Sequence, residues 1–196
     1  MKIGTCVNFS EINGMEEKFA RLREHNFDSC QLVSWNPAAW TDENASLLKT
    51  LLEQYQITVS AFWCGWSGPA AWNFYDGPLT LGLVPVEYRQ MRIENLCDGA
   101  DFAHKLGITD VVTHMGFIPE NPYDPNFSSF CIAVRTVAEH LKKNGQCLLF
   151  ETGQETPVTM LRCFEAVGTD NLYVNLDTAN LILYGKANPA DALDVF

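Results

Sequence analysis

No apolar run in this chain approaches the roughly 18 residues needed to cross a bilayer, and the amino-terminal stretch MKIGTCVNFSEING has none of the long apolar centre of a signal peptide. These absences predict a soluble, cytoplasmic protein with no membrane partner. Basic residues are scarce as well, 13 Lys and Arg against 24 Asp and Glu for a net charge of -11. With no Lys/Arg block to offset it, such a surface repels a phosphate backbone, so nucleic acid is not expected as a partner. Cysteine is present at seven positions (Cys6, Cys30, Cys64, Cys97, Cys131, Cys147 and Cys163) but never in CxxC spacing. The thiols read as reduced, packed mostly as small hydrophobes within strand and helix patterns. A glycine-rich phosphate turn is missing too. Gly4 lies inside the first apolar run, and the following VNFSEING contains no GxGxxG, which argues against a dinucleotide-binding doubly wound sheet.

What is present is a regular cycle. The 196 residues are 47% hydrophobic and 12% aromatic, enough for one well-buried core. Short apolar runs at Lys2–Val7, Asp28–Val33, Ile57–Trp63, Thr109–Thr113, Gln146–Phe150 and Leu172–Leu176 read as strands. Longer segments between them carry apolar residues at helical spacing, such as Met15, Phe19 and Leu22, or Phe130, Val134, Val137 and Leu141. Gly107 and Gly145 fall where helix C-caps are expected, and Thr41-Asp42 and Asn188-Pro189 mark helix starts. The pattern predicts an α/β fold of parallel βα units. About six can be counted, where a closed (β/α)8 barrel of the TIM type needs about 200 to 250 residues or more. The expectation is therefore one incomplete barrel domain over residues 1–196. Its two open sheet edges invite association into a homo-oligomer. The third connection, CGWSGPAAWNFYDGPLTLGLVP at residues 64–85, far exceeds the usual length of about 2 to 6 residues. It is expected to act as a lid whose Trp66, Trp72, Phe74 and Tyr75 cover a small polar ligand.

The chemistry concentrates at strand ends. Two apolar strands run into acids, Glu151 in CLLFETGQET and Asp177 in LYVNLDTANL, aiming both out of the carboxyl edge of the sheet, where α/β proteins place ligand sites. Both are hard oxygen donors without a neighbouring cysteine, apt for Mn²⁺, Mg²⁺ or Co²⁺. Such an ion stabilises negative charge on adjacent substrate oxygens when the carbon beside a carbonyl loses its proton, with Glu151 as both ligand and general base. His114 in VVTHMGF, Trp63, Trp35, Glu155 and Asn180 complete the candidate set as contacts to a small sugar-like substrate. His25, His104 and His140 fall within or at the ends of helices and are expected to be solvated or capping.

At these residues the chain resembles the xylose isomerase-like barrel superfamily, and within it the sugar phosphate isomerase/epimerase branch, which includes ketose 3-epimerases and inosose dehydratase. The resemblance runs through DGPLTLGLVPVEYR, HMGFIPE, FETGQETP and NLDTANLILYGKANPADAL. It implies a divalent metal held by Glu151 and Asp177 and by a His and a Glu from strands seven and eight. This sequence stops before those strands, so it reads as a truncated form of a longer protein, with an inactive barrel that binds a sugar or partner as the alternative. The superfamily also contains a zinc-dependent apurinic endonuclease. Its site needs a histidine after strand three and another three residues past the strand-six acid, where this chain has Trp63-Cys64 and Asn180.

Overall fold

The computed structural model describes residues 2–196. Six parallel strands, β1 (Thr5–Asn8), β2 (Ser29–Ser34), β3 (Thr58–Cys64), β4 (Asp110–Thr113), β5 (Cys147–Glu151) and β6 (Leu172–Asn175), form one sheet in the order 1-2-3-4-5-6. A doubly wound sheet reverses direction at a switch point. Strictly sequential order instead describes six neighbouring staves of a βα barrel. The helices are α1 (Met15–Glu24), α2 (Asp42–Gln54), α3 (Gly77–Thr80), α4 (Val86–Lys105), α5 (Pro125–Lys143), α6 (Pro157–Val167), α7 (Thr178–Leu183) and α8 (Pro189–Val195).

The expected starts and stops are physical caps. Thr41 Oγ1 accepts the Asn44 amide at 3.2 Å and Asn188 Oδ1 accepts the Ala190 amide at 2.9 Å, each satisfying an orphan donor of a first turn. Gly107 and Gly145, at φ 75° and 70°, turn the chain out of α4 and α5. The first strand is shorter than its apolar pattern. Pairing begins at Thr5 rather than Lys2, Ile3 lies in solvent, and Gly4 packs so close to the Ser29 carbonyl that a Cβ there would collide with it.

Strand residues alternate between two cores. Cys30, Leu32, Phe62, Cys64, Val111, Leu148 and Phe150 point toward the helices, joining Phe19, Leu48, Phe102, Phe130 and Val137 in the large cluster. The opposite face carries Ala61, Trp63 and Val112, packed with Trp66 and Leu81 of the long connection and flanked by Val33 and Leu149. Because this second cluster is small, the barrel interior is left to polar groups. One of them spans it: Gln31 Nε2 of β2 donates to Asn175 Oδ1 of β6 at 3.3 Å.

The long connection holds a single helical turn, α3, and is tied down by two buried arginines of α4. Arg92 donates to the carbonyls of Gly82 (2.6 Å), Pro69 (2.8 Å) and Ser67 (3.4 Å), and its guanidinium lies 5.2 Å from the centre of the Trp66 ring. Arg89 donates to the carbonyls of Leu83 and Val84, both at 2.6 Å. Buried charge is tolerated here because carbonyl oxygens take the place of water. At its far end the connection runs backbone against backbone along the end of β4, where the Leu83 amide donates to Met115 O at 3.0 Å. A Cβ at Gly82 (φ +64°) would strike the Met115 carbonyl group itself. Gly82→Ala is therefore expected to destabilise the fold by ~2–4 kcal/mol, from strained φ plus overpacking. Urea denaturation reads this directly, and an unchanged midpoint would contradict the close approach.

Candidate active site

At the carboxyl edge of the sheet, Cys6, Gln31, Val33, Trp35, Trp63, Glu151, Asn175 and Asp177 line an open cavity of about 210 Å³. Both acids singled out at the strand ends, Glu151 and Asp177, border this cavity. Glu151 ends β5. Its Oε1 lies 3.1 Å from His114 Nε2 and 3.4 Å from Asn180 Nδ2, while Oε2 accepts the indole N–H of Trp63. Asp177 follows β6 as the N-cap of α7, its Oδ1 accepting the amides of Ala179 (2.8 Å) and Asn180 (3.0 Å). Thr152 pins Asp177 to the end of β5: its Oγ1 accepts the Asp177 amide at 2.8 Å and donates to the Asp177 carbonyl at 3.0 Å. Neither acid is ion-paired with a lysine or arginine among the described residues.

His114 is buried just past β4. The absent side chain of Gly153 leaves room for its ring, since a Cβ there would sit 2.9 Å from His114 Cε1. Its Nδ1 is buried without a partner. Above it stands an aromatic wall. Trp35 packs against Trp63 at 4.9 Å and Trp66 at 5.0 Å between ring centres, and Trp72 of the long connection lies 4.9 Å from the His114 ring. Of the aromatics expected in the lid, Trp66 is buried beside the barrel core, Trp72 joins this wall, and Phe74 and Tyr75 are exposed.

Glu155 is a different kind of acid. It lies fully inside the β5–α6 turn, with Oε1 buried and unpartnered and both amide atoms of the adjacent Gln154 likewise unpartnered. Burial pushes its carboxyl up from 4.5 to about 8, against the opposing pull of nearby backbone amides and Lys186.

Of the expected residues, Glu151, His114, Trp63 and Asn180 form one hydrogen-bonded or close-contact group, with Asp177 and Trp35 on the same cavity wall. Glu155 is not part of that wall. Inspection of strand ends alone missed Cys6 and Gln31, two and three residues before the ends of β1 and β2, and Asn175, the last residue of β6, all of which face the cavity. The period-two alternation of β1, β2 and β6 carries that signal. Cys6 is exposed rather than packed as a small hydrophobe, and partial desolvation of its thiol, then the charges of Glu151 and Asp177, push it above its ordinary range. All seven thiols are free.

The model of the xylose isomerase-like TIM barrel family matches residues 19–195. The chain belongs to this family. A solved xylose isomerase domain protein from Planctomyces limnophilus is 28% identical with a TM-score of 0.89, over 98% of this chain and 69% of that one. An L-ribulose 3-epimerase is 21% identical with a TM-score of 0.71, over 93% and 63% of the two chains. A xylose isomerase-like TIM barrel protein from Mycobacterium smegmatis, solved in complex with magnesium, is 20% identical with a TM-score of 0.70, over 94% and 63%. This xylose isomerase-like chain thus spans roughly two thirds of the length of these relatives, in keeping with six of eight barrel units. No curated protein matches its sequence significantly. Among the described residues no helix is long and apolar enough to cross a membrane.

Proposed function

We propose that the chain carries the proton-abstracting side of a metal-dependent isomerase or epimerase acting on a sugar or cyclitol next to its carbonyl. The observation that carries this reading is the placing of Glu151 and Asp177 on one cavity, neither ion-paired with a lysine or arginine among the described residues. Two hard oxygen donors bordering the same small space fit a divalent ion such as Mn²⁺, Mg²⁺ or Co²⁺. When bound, the ion supplies electrostatic stabilisation of charge developing on substrate oxygens.

The protein groups divide the remaining work. Glu151 removes the proton. Trp63 and His114 hold its carboxylate in a fixed orientation, so no reorganisation is needed when the proton moves. Asn180 adds a donor beside it, and Trp35 and Trp72 offer flat faces to the C–H side of a sugar ring. Solvent-deuterium exchange tests the reading. With Mn²⁺ in D₂O, a substrate ketose should gain deuterium at the carbon next to its carbonyl, and failure across a broad panel of free sugars and cyclitols would remove the proposal.

A second reading, binding without turnover, has its own support: no group of three or more His, Cys, Asp or Glu among the described residues is placed to hold an ion. The same fact tells against the multi-histidine zinc site of a nuclease. Calorimetry separates the two surviving readings. Saturable Mn²⁺ binding, weakened by Asp177→Ala, favours the enzyme, whereas sugar binding indifferent to Mn²⁺ favours the binder.

A further inference from the structure

Asp177 lies outside the strand ladder. Register pairs Glu151 with Asn175, the last residue of β6, and one more backbone bond, from the Thr152 amide to Asn175 O at 3.0 Å, closes the sheet. Asp177 follows two residues later, where something other than strand pairing has to set how far its carboxylate stands from that of Glu151. Its own side chain does part of this. Oδ1 accepts the Ala179 and Asn180 amides, which orients the carboxylate on the first turn of α7 and leaves Oδ2 for a ligand.

The remaining freedom is the placement of that first turn against β5, and there a single hydroxyl acts on the main chain. Thr152 directly follows Glu151, and its Oγ1 accepts the Asp177 amide at 2.8 Å while donating to the Asp177 carbonyl at 3.0 Å. A hydroxyl can fill both roles because it is donor and acceptor in one atom. The residue after one acid thereby grips the backbone of the other on both sides of its Cα. Thr152 is completely buried, so water is not at hand to replace either bond if the hydroxyl is lost. Asn180 Nδ2 adds only a longer contact from α7 to Glu151 Oε1, at 3.4 Å.

Given the reading of the two acids as cation ligands, on which this step rests, we infer that Thr152 is a positioning residue for the divalent-ion site, its hydroxyl fixing the spacing of the Glu151 and Asp177 carboxylates. Removing a support of this kind typically weakens metal binding by ~10–100-fold. A purely structural clasp between β5 and α7 would behave differently. Its loss would lower the urea midpoint and leave the affinity of the folded protein unchanged.

Calorimetric titration of Mn²⁺ into the folded 196-residue chain and into its Thr152→Val, Thr152→Ser and Asp177→Ala variants separates the two roles. Valine keeps the shape of threonine without the hydroxyl, and serine keeps the hydroxyl. The expected result is binding ~10–100-fold weaker with valine and close to the parent's with serine. If the valine variant does not fold, Thr152→Ala carries the same comparison. Parent-like affinity without the hydroxyl, beside an Asp177→Ala variant that has lost affinity, overturns the positioning role and leaves the cation site standing. Serine as weak as valine overturns it too, because the hydroxyl would then not be the operative group. A parent that binds no Mn²⁺, or an Asp177→Ala variant that binds it as the parent does, removes the cation reading and the role of Thr152 with it.

Discussion

Glutamine at position 151 is expected to lower deuterium exchange and turnover by ~10²–10⁴-fold, the range over which a positioned general base contributes, in any form of the protein that turns a sugar over. The substitution keeps the side chain's length and shape. Its amide oxygen can still accept the Trp63 indole proton, and its amide group still lies beside His114 and Asn180, so the local packing is retained. What it loses is the negative charge, and with it the capacity to accept a proton and much of the attraction for a cation. The discriminating result is a pair of measurements, with exchange collapsing while the urea midpoint stays close to that of the parent. Exchange at the parent's rate would show that Glu151 is not the base. If fold and exchange fall together, the charge of Glu151 is needed to hold His114 and Asn180 in place.

Most of the scaffold was legible because its signals are local. Apolar runs of strand length, glycines at helix ends and threonine or asparagine caps each act through neighbouring residues, and their agreement along the chain specified parallel βα units before any tertiary contact was known. The acids at 151 and 177 were legible for the same reason, Glu151 as the last side chain of β5 at the sheet edge and Asp177 as the cap of the helix that follows β6. The inward polar positions were harder to read. Gln31 sits in CQLVS as one polar residue among several, and only sheet register brings its amide across the interior to Asn175, 144 positions away in sequence. The arginines were harder still. Arg92 is a charged residue of α4, yet it is fully buried because the long connection folds its carbonyls over that face. Long-range contacts of this kind leave no periodic trace.

Glu155 supplies the second large effect, and it is one of pH. The folded protein holds this carboxyl at about 8 against 4.5 in an open chain. Below the lower value both states are protonated and Glu155 exerts no pH dependence. Between the two values the unfolded chain gives up the proton and the folded one keeps it. Unfolding then releases a proton, so stability falls as pH rises and levels off above the folded value. The full span corresponds to ~4–5 kcal/mol of stability lost between acid and alkaline conditions. Glu155→Gln removes the titrating group while keeping a neutral side chain of the same shape. Urea denaturation of parent and variant at intervals from pH 5 to pH 9 should therefore diverge steadily, with the variant the more stable at the alkaline end by roughly that amount. Parallel curves would mean that Glu155 is ionised in the folded protein and that the unpartnered oxygen has a counterpart after all. A neutral Glu155 at pH 7 is also a hydrogen-bond donor, which suits a turn that presents the unpartnered Gln154 amide beside it.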